Sequence, residues 1–132
     1  MSFLVDTDVC SAHLKAKGVV TNRFLQYAGR LHISTVTLGE LYAWALRAEA
    51  PPARLRGLRE MLADVTVLEV TARIAERFGQ VQAGLLDARR PAPAMDLLNG
   101  AVALVHDLTL MTHNVQDYAG IPGLRVVDRT VP

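Results

Sequence analysis

One cysteine, two lysines and few aromatic rings set the first limits on what this 132-residue chain can be. A single thiol, Cys10, cannot build an internal disulfide framework, which excludes the disulfide-stapled secreted class. Phe, Trp and Tyr together make up 5% of the residues, too few for the base-stacking platform of a typical single-strand binder. No apolar run approaches the roughly 20 residues needed to span a bilayer, so no membrane partner is expected. The start, Met1-Ser-Phe-Leu-Val-Asp6, lacks a basic segment and meets a carboxylate at once, unlike a secretory leader. A cytoplasmic protein is expected. The phosphate loops G-x-x-x-x-G-K-S/T and G-x-G-x-x-G are absent, as is the G-x-S-x-G nucleophile elbow. His13, His32, His106 and His113 have no zinc-site spacing.

What is present is a globular balance: 51% apolar and 20% charged residues, at a length that predicts a single domain over 1–132. The net charge of +1 conceals a bias. Of 14 basic residues only Lys15 and Lys17 are lysines, and the rest are arginines. Arginine's planar fork suits phosphate oxygens and carboxylates, although genomic base composition produces the same bias.

Short apolar runs alternate with helical patterns. Phe3–Val5 reads as a buried strand ending at Asp6-Thr7-Asp8, followed by a helix from Val9 to Lys17 closed by Gly18. A helix over Val19–Ala28, a strand over Leu31–Ser34 and a helix from Thr37 to about Ala48 follow. Pro51-Pro52 opens the next helix, to about Ala63. Val65–Val70 is β-rich, and Thr71 caps a helix to about Ala88. Beyond the loop Arg89–Pro93, a helix over Met95–His106 and strands at Thr109–Thr112 and Leu124–Val127 complete the chain. This order predicts an α/β three-layer sandwich, a central parallel sheet with helices on both faces.

In such sheets ligands gather beyond the carboxyl ends of the strands. Asp6 and Asp8 follow the first strand there, and Thr112, Asn114 and Asp117 follow a later one. Each has a structural alternative. Asp8 can cap the helix after it. Glu40 can close a Thr37-x-x-Glu40 capping box. Asp96 suits the positive end of its helix, and Asn114 and Asp117 are turn formers. Taken together, several carboxylates at one sheet edge repel each other unless a cation joins them. Oxygen-only donors favour Mg²⁺ or Mn²⁺ over zinc, and such an ion suits phosphoester chemistry.

The stretches Phe3-Leu-Val-Asp-Thr-Asp-Val9, Ile33-Ser-Thr-Val-Thr-Leu-Gly-Glu-Leu41, Met95-Asp-Leu-Leu98, Leu110-Met-Thr-His-Asn114 and Asp117–Asp128 resemble PIN-domain nucleases, specifically VapC-type toxins of bacterial toxin–antitoxin pairs. The resemblance spans essentially the whole chain, in order. It implies a PIN-like fold and metal-dependent endonucleolytic cleavage of RNA that leaves a 3′-hydroxyl. It further implies a homodimer and a cognate VapB-like antitoxin. Asp6, Glu40 and Asp96 are the implied metal-binding acids, with Asn114 or Asp117 in a fourth position and Thr7, Asp8 and Thr112 in support. An antitoxin basic side chain entering the acids is expected to silence them, its segment lying along the apolar face near Leu41 and Trp44. Two other readings stay open. Leu4-Val-Asp-Thr-Asp-Val9 also resembles the D-x-D motif of haloacid-dehalogenase-like phosphatases, although no lysine follows Lys17. The uncharged Asn114 also allows a PIN-like binding module without catalysis.

Overall fold

A computed structural model describes residues 1–15, 24 and 26–128. The helix expected over Val19–Ala28 falls almost wholly outside them. In order, the elements are β1 (Phe3–Val5), α1 (Thr7–Leu14), β2 (Leu31–Ser34), α2 (Thr35–Ala45), α3 (Pro52–Leu62) and β3 (Thr66–Leu68). They continue with α4 (Ala72–Asp87), α5 (Ala94–Val105), β4 (Thr109–Met111), α6 (Val115–Tyr118) and β5 (Val126–Val127). The five strands form one sheet in the order β3-β2-β1-β4-β5, every pair parallel.

Side chains alternate across a strand, and here the alternation sorts the core into two layers. Phe3 and Val5 pack with Val9 and Cys10 of α1, Leu41 and Ala45 of α2, and Leu58 and Met61 of α3. Leu4 and Leu110 face the other way, onto Ile74 and Leu85 of α4 and Leu97, Ala101 and Val102 of α5. Both faces of the sheet are covered, as all-parallel sheets require. Each fully buried Leu or Phe contributes roughly 1.5–3 kcal/mol of transfer free energy.

The connectivity positions the site. From β1 the chain moves outward to β2 and β3, then crosses back to β4 and β5 on the opposite side of β1. The reversal opens a crevice beyond the carboxyl ends of β1 and β4, where Asp6 and Thr112 stand.

Helix starts differ from the sequence expectation at two telling places. α1 begins at Thr7, not Val9, and its N-cap is Asp6 rather than Asp8. α2 begins at Thr35, capped by Ser34, whose hydroxyl accepts from the Thr37 amide at 3.2 Å. Thr37 is therefore inside the helix, and the capping box with Glu40 does not form. The turn expected at Asn114–Asp117 is the short helix α6. Of the apolar side chains on α2, Leu38, Tyr42 and Trp44 pack partly against the core. Leu46, just past the helix, stays 62% exposed.

Candidate active site

Asp6 is the hub of the crevice. Its Oδ1 accepts from the Thr7 amide at 2.9 Å and from Asn99 Nδ2 at 3.2 Å. Its Oδ2 accepts from the Thr112 and Tyr118 hydroxyls, each at 2.9 Å. Four donors from α1's start, α5, β4's end and α6 thus hold one carboxylate in a fixed orientation.

Asn99 explains how α5 takes part. This helix is buried over Asn99–Ala103, so its one buried polar side chain must be satisfied internally. Asn99 Nδ2 donates to Asp6 and to Thr37 Oγ1, and its Oδ1 accepts the Ser34 hydroxyl. The network ties β2, α2 and α5 to β1. Gly100 allows the close packing this needs: a Cβ there would lie 2.8 Å from Ile121 Cδ1, in the segment after α6. Replacing Asn99 by leucine strands Ser34, Thr37 and one side of Asp6, each at about 1–3 kcal/mol. The expected result is a loss of several kcal/mol by denaturant unfolding; a loss below 1 kcal/mol would show the network to be dispensable.

Three residues earlier on the same helix, Asp96 lies about one turn before Asn99 and on the same face. Its Oδ1 is 3.4 Å from the Tyr118 hydroxyl, which also reaches Asp6. A phenol carries one proton, and the shorter contact assigns it to Asp6. Burial raises the Asp96 pKa, and the charges of Asp6, Asp117 and Glu40 raise it further. Burial and the charges of Asp6 and Asp96 push the Tyr118 phenol far above its ordinary value, so it remains a donor. Glu40, exposed on α2, accepts the Thr7 hydroxyl at 2.6 Å, which anchors it one residue from Asp6.

Asp8 belongs to a neighbouring set. Its Oδ2 accepts from the His113 amide at 3.0 Å and from Asn114 Nδ2 at 3.1 Å, fastening the loop after β4. Burial and the Asp6 charge raise its pKa, and Oδ1 is buried with no partner among the described residues. Asn114 spends its amide on Asp8, whereas Asp117 acts on Asp96. The fold therefore brings Asp96 within electrostatic reach of Asp6, Asp117 and Glu40, with Thr7 and Thr112 as donors to Glu40 and Asp6, and sets Asp8 and Asn114 to one side. Sequence reasoning overlooked Asn99 and Tyr118. Asn99 left a signal, a lone amide in an apolar helix one turn after Asp96; Tyr118 left none.

No lysine or arginine among the described residues is ion-paired to Asp6, Glu40, Asp96 or Asp117. Among the described residues no cation offsets these acids, and their donor set, oxygen only, fits a hard divalent cation. As placed, no three Asp, Glu, His or Cys side chains among the described residues form a group able to hold an ion.

A parallel sheet with acids at its switch point defines an α/β class that binds ligands at its strand ends, and comparison with known proteins is specific. The chain belongs to the PIN domain family, which matches residues 3–119. The tRNA(fMet)-specific endonuclease VapC of Shigella flexneri is 30% identical over 129 residues, covering 97% of this chain and 98% of that protein. A chain of DNA-bound VapBC from Salmonella typhimurium superposes with a TM-score of 0.91 at 28% identity, over 98% of each chain. In VapBC2 of Rickettsia felis, bound to a fragment of its promoter, the corresponding values are 0.89 and 21%, a likeness of fold over 97% of this chain and 98% of that one. Membership in the PIN family removes the phosphatase alternative raised by Leu4–Val9. No helix among the described residues is long and apolar enough to cross a membrane.

Proposed function

We propose that this protein is a Mg²⁺- or Mn²⁺-dependent endoribonuclease, the toxin of a toxin–antitoxin pair. One observation carries the reading. Asp6 and Asp96 share the Tyr118 hydroxyl while Glu40 and Asp117 add to the charge around Asp96, with no basic side chain among the described residues to offset them. Folds keep such repulsion where a cation is to be bound. The endonuclease and ribonuclease names of its relatives support RNA as substrate.

Asp6, Glu40 and Asp96 would hold the ion, with Asp117 the better candidate than Asn114 for a fourth position. When bound, the ion lowers the pKa of an attacking water and neutralises charge on phosphate oxygens. The chain's own part is orientation. Thr112, Asn99 and the Thr7 amide fix Asp6, the Thr7 hydroxyl steers Glu40, and Tyr118 relates Asp6 to Asp96. We further propose a homodimer, a VapB-like antitoxin whose basic side chain enters the acids, a single domain, and action in the cytoplasm. The VapBC complexes among its structural relatives support the antitoxin.

The competing reading, a binding module without catalysis, is favoured by the absence, among the described residues, of three ligand side chains already drawn together. Glu40→Gln separates the two. Glutamine keeps an oxygen for the Thr7 hydroxyl, and no capping box is at stake, so stability should stay within about 0.5 kcal/mol of wild type. Cleavage of a labelled RNA in Mg²⁺ should fall by about 100-fold or more. Wild-type protein inert on all RNA would favour the binding module; full activity in the variant would remove Glu40 from the centre.

A further inference from the structure

We infer that Arg77 and Arg90 line a groove that holds the phosphate backbone of the RNA strand beside the bond to be cut. The inference rests on the nuclease reading. The reacting acids repel a polyanion, so binding energy for RNA must come from cations placed outside them. Such a place exists on the α4 side of the sheet. A cavity of about 400 Å³ is lined by Arg77, Gln80 and Gly84 of α4, by Arg90, and by Gly120 and Pro122 beyond α6. A smaller one, about 170 Å³, shares Arg90, Leu85 and Gly120 with it and continues to Gln116 and Asp117. Asp117 is the carboxylate whose charge reaches Asp96. The two cavities therefore adjoin across a shared wall of Leu85, Arg90 and Gly120, with Arg77 at one end and Asp117 at the other.

The local structure presents both arginines to these cavities. Arg77, Val81, Gly84 and Ala88 follow one another at helical spacing, which puts them on one stripe of α4. At the helix end the amides of Arg89 and Arg90 donate to Leu86 O and Leu85 O at 3.0 and 2.8 Å, the paired bonds of a Schellman turn. Arg89 takes the left-handed conformation usually given to glycine, with φ 56°. This turn brings Arg90 across to Gly120, where a Cβ would lie 3.8 Å from Arg90 Nη2. Neither Arg77 nor Arg90 is hydrogen-bonded or ion-paired through its side chain among the described residues. Two free guanidinium forks, each matched to phosphate oxygens, thus border an apolar floor of Val81 and Leu85.

The test is RNA binding by fluorescence anisotropy, with a labelled single-stranded RNA in EDTA, from low to moderate salt. It compares wild type, the double variant R77A/R90A, and the control R56A/R59A, which removes the same charge from α3 on the opposite face of the sheet. Each phosphate contact on a single strand contributes about 0.7 to the slope of log affinity against log salt. The groove variant should lose about 1.4 in that slope and bind several-fold more weakly, with the control unchanged. Cleavage in Mg²⁺ should show KM raised and kcat little altered. Equal slopes for all three proteins overturn the groove and leave the nuclease reading standing. Unchanged RNA binding with weakened inhibition by the co-expressed antitoxin would assign the groove to an acidic peptide instead, which also overturns it. A wild type that binds RNA with the expected slope yet never cleaves refutes the nuclease reading alone.

Discussion

Replacing Asp96 by asparagine is expected to abolish RNA cleavage and to raise the thermal midpoint of the metal-free protein. The two effects have one cause. Asp96 stands where burial and the charges of Asp6, Asp117 and Glu40 all disfavour its ionised form. Its oxygen also faces a phenol whose single proton is given to Asp6. Asparagine removes the repulsion and supplies an amide proton for the Tyr118 oxygen, completing a chain from residue 96 to Asp6. The same change deletes a charge that the proposed cation would need, and loss of one such group costs at least about 100-fold in rate. Calorimetry in EDTA and a cleavage assay in Mg²⁺ read the two halves. Wild-type cleavage by Asp96→Asn would remove Asp96 from the centre. A lowered midpoint would mean that repulsion is not what this position bears.

Divalent metal is expected to have the second large effect. An ion that binds only the folded chain stabilises it by about 2.7 kcal/mol at a hundred times its dissociation constant. For a chain of this length that is a rise of about 10 °C, reversed by EDTA. The pH dependence follows from the raised Asp96 and Asp8 carboxyls. In the unfolded chain they ionise near their ordinary value of 3.8; in the folded chain they hold their protons to higher pH. Through that window the folded state binds more protons, so its stability falls as pH rises. This contribution is fully present below pH 3.8 and is lost above the raised values. Metal should oppose that fall, because it favours the ionised forms. The check is a set of melting curves from pH 4 to 8, with Mg²⁺ or EDTA, on wild type and D8N/D96N. No difference between Mg²⁺ and EDTA at any pH would argue against a resident divalent ion.

Some of this molecule was written along the chain. The strand at Phe3–Val5 announces itself by an apolar run that ends at a carboxylate, and the long amphipathic helix by Thr71 and its 3.6-residue stripe. Strands alternating with helices leave a parallel sheet as the simplest solution, and that sheet forms. Asp6 was legible because a strand end is a local feature. Glu40 was legible only as one of two things, since a capping box and a metal ligand share the spacing Thr-x-x-Glu. Tertiary structure removed the first of them. Ser34 is held at the end of β2 by its bond to Asn99, and with Ser34 as the cap the helix starts two residues earlier and Glu40 is released. Tyr118 shows the same limit more severely. Nothing in Val115-Gln-Asp-Tyr118 marks the tyrosine, because its role exists only once β4 lies beside β1 and α6 turns back over Asp6. Local pattern therefore determined which residues could become strands, helices and acids at a sheet edge. Only packing determined which donors orient those acids, because a hydrogen bond between residues 112 positions apart, as between Asp6 and Tyr118, leaves no trace in local sequence.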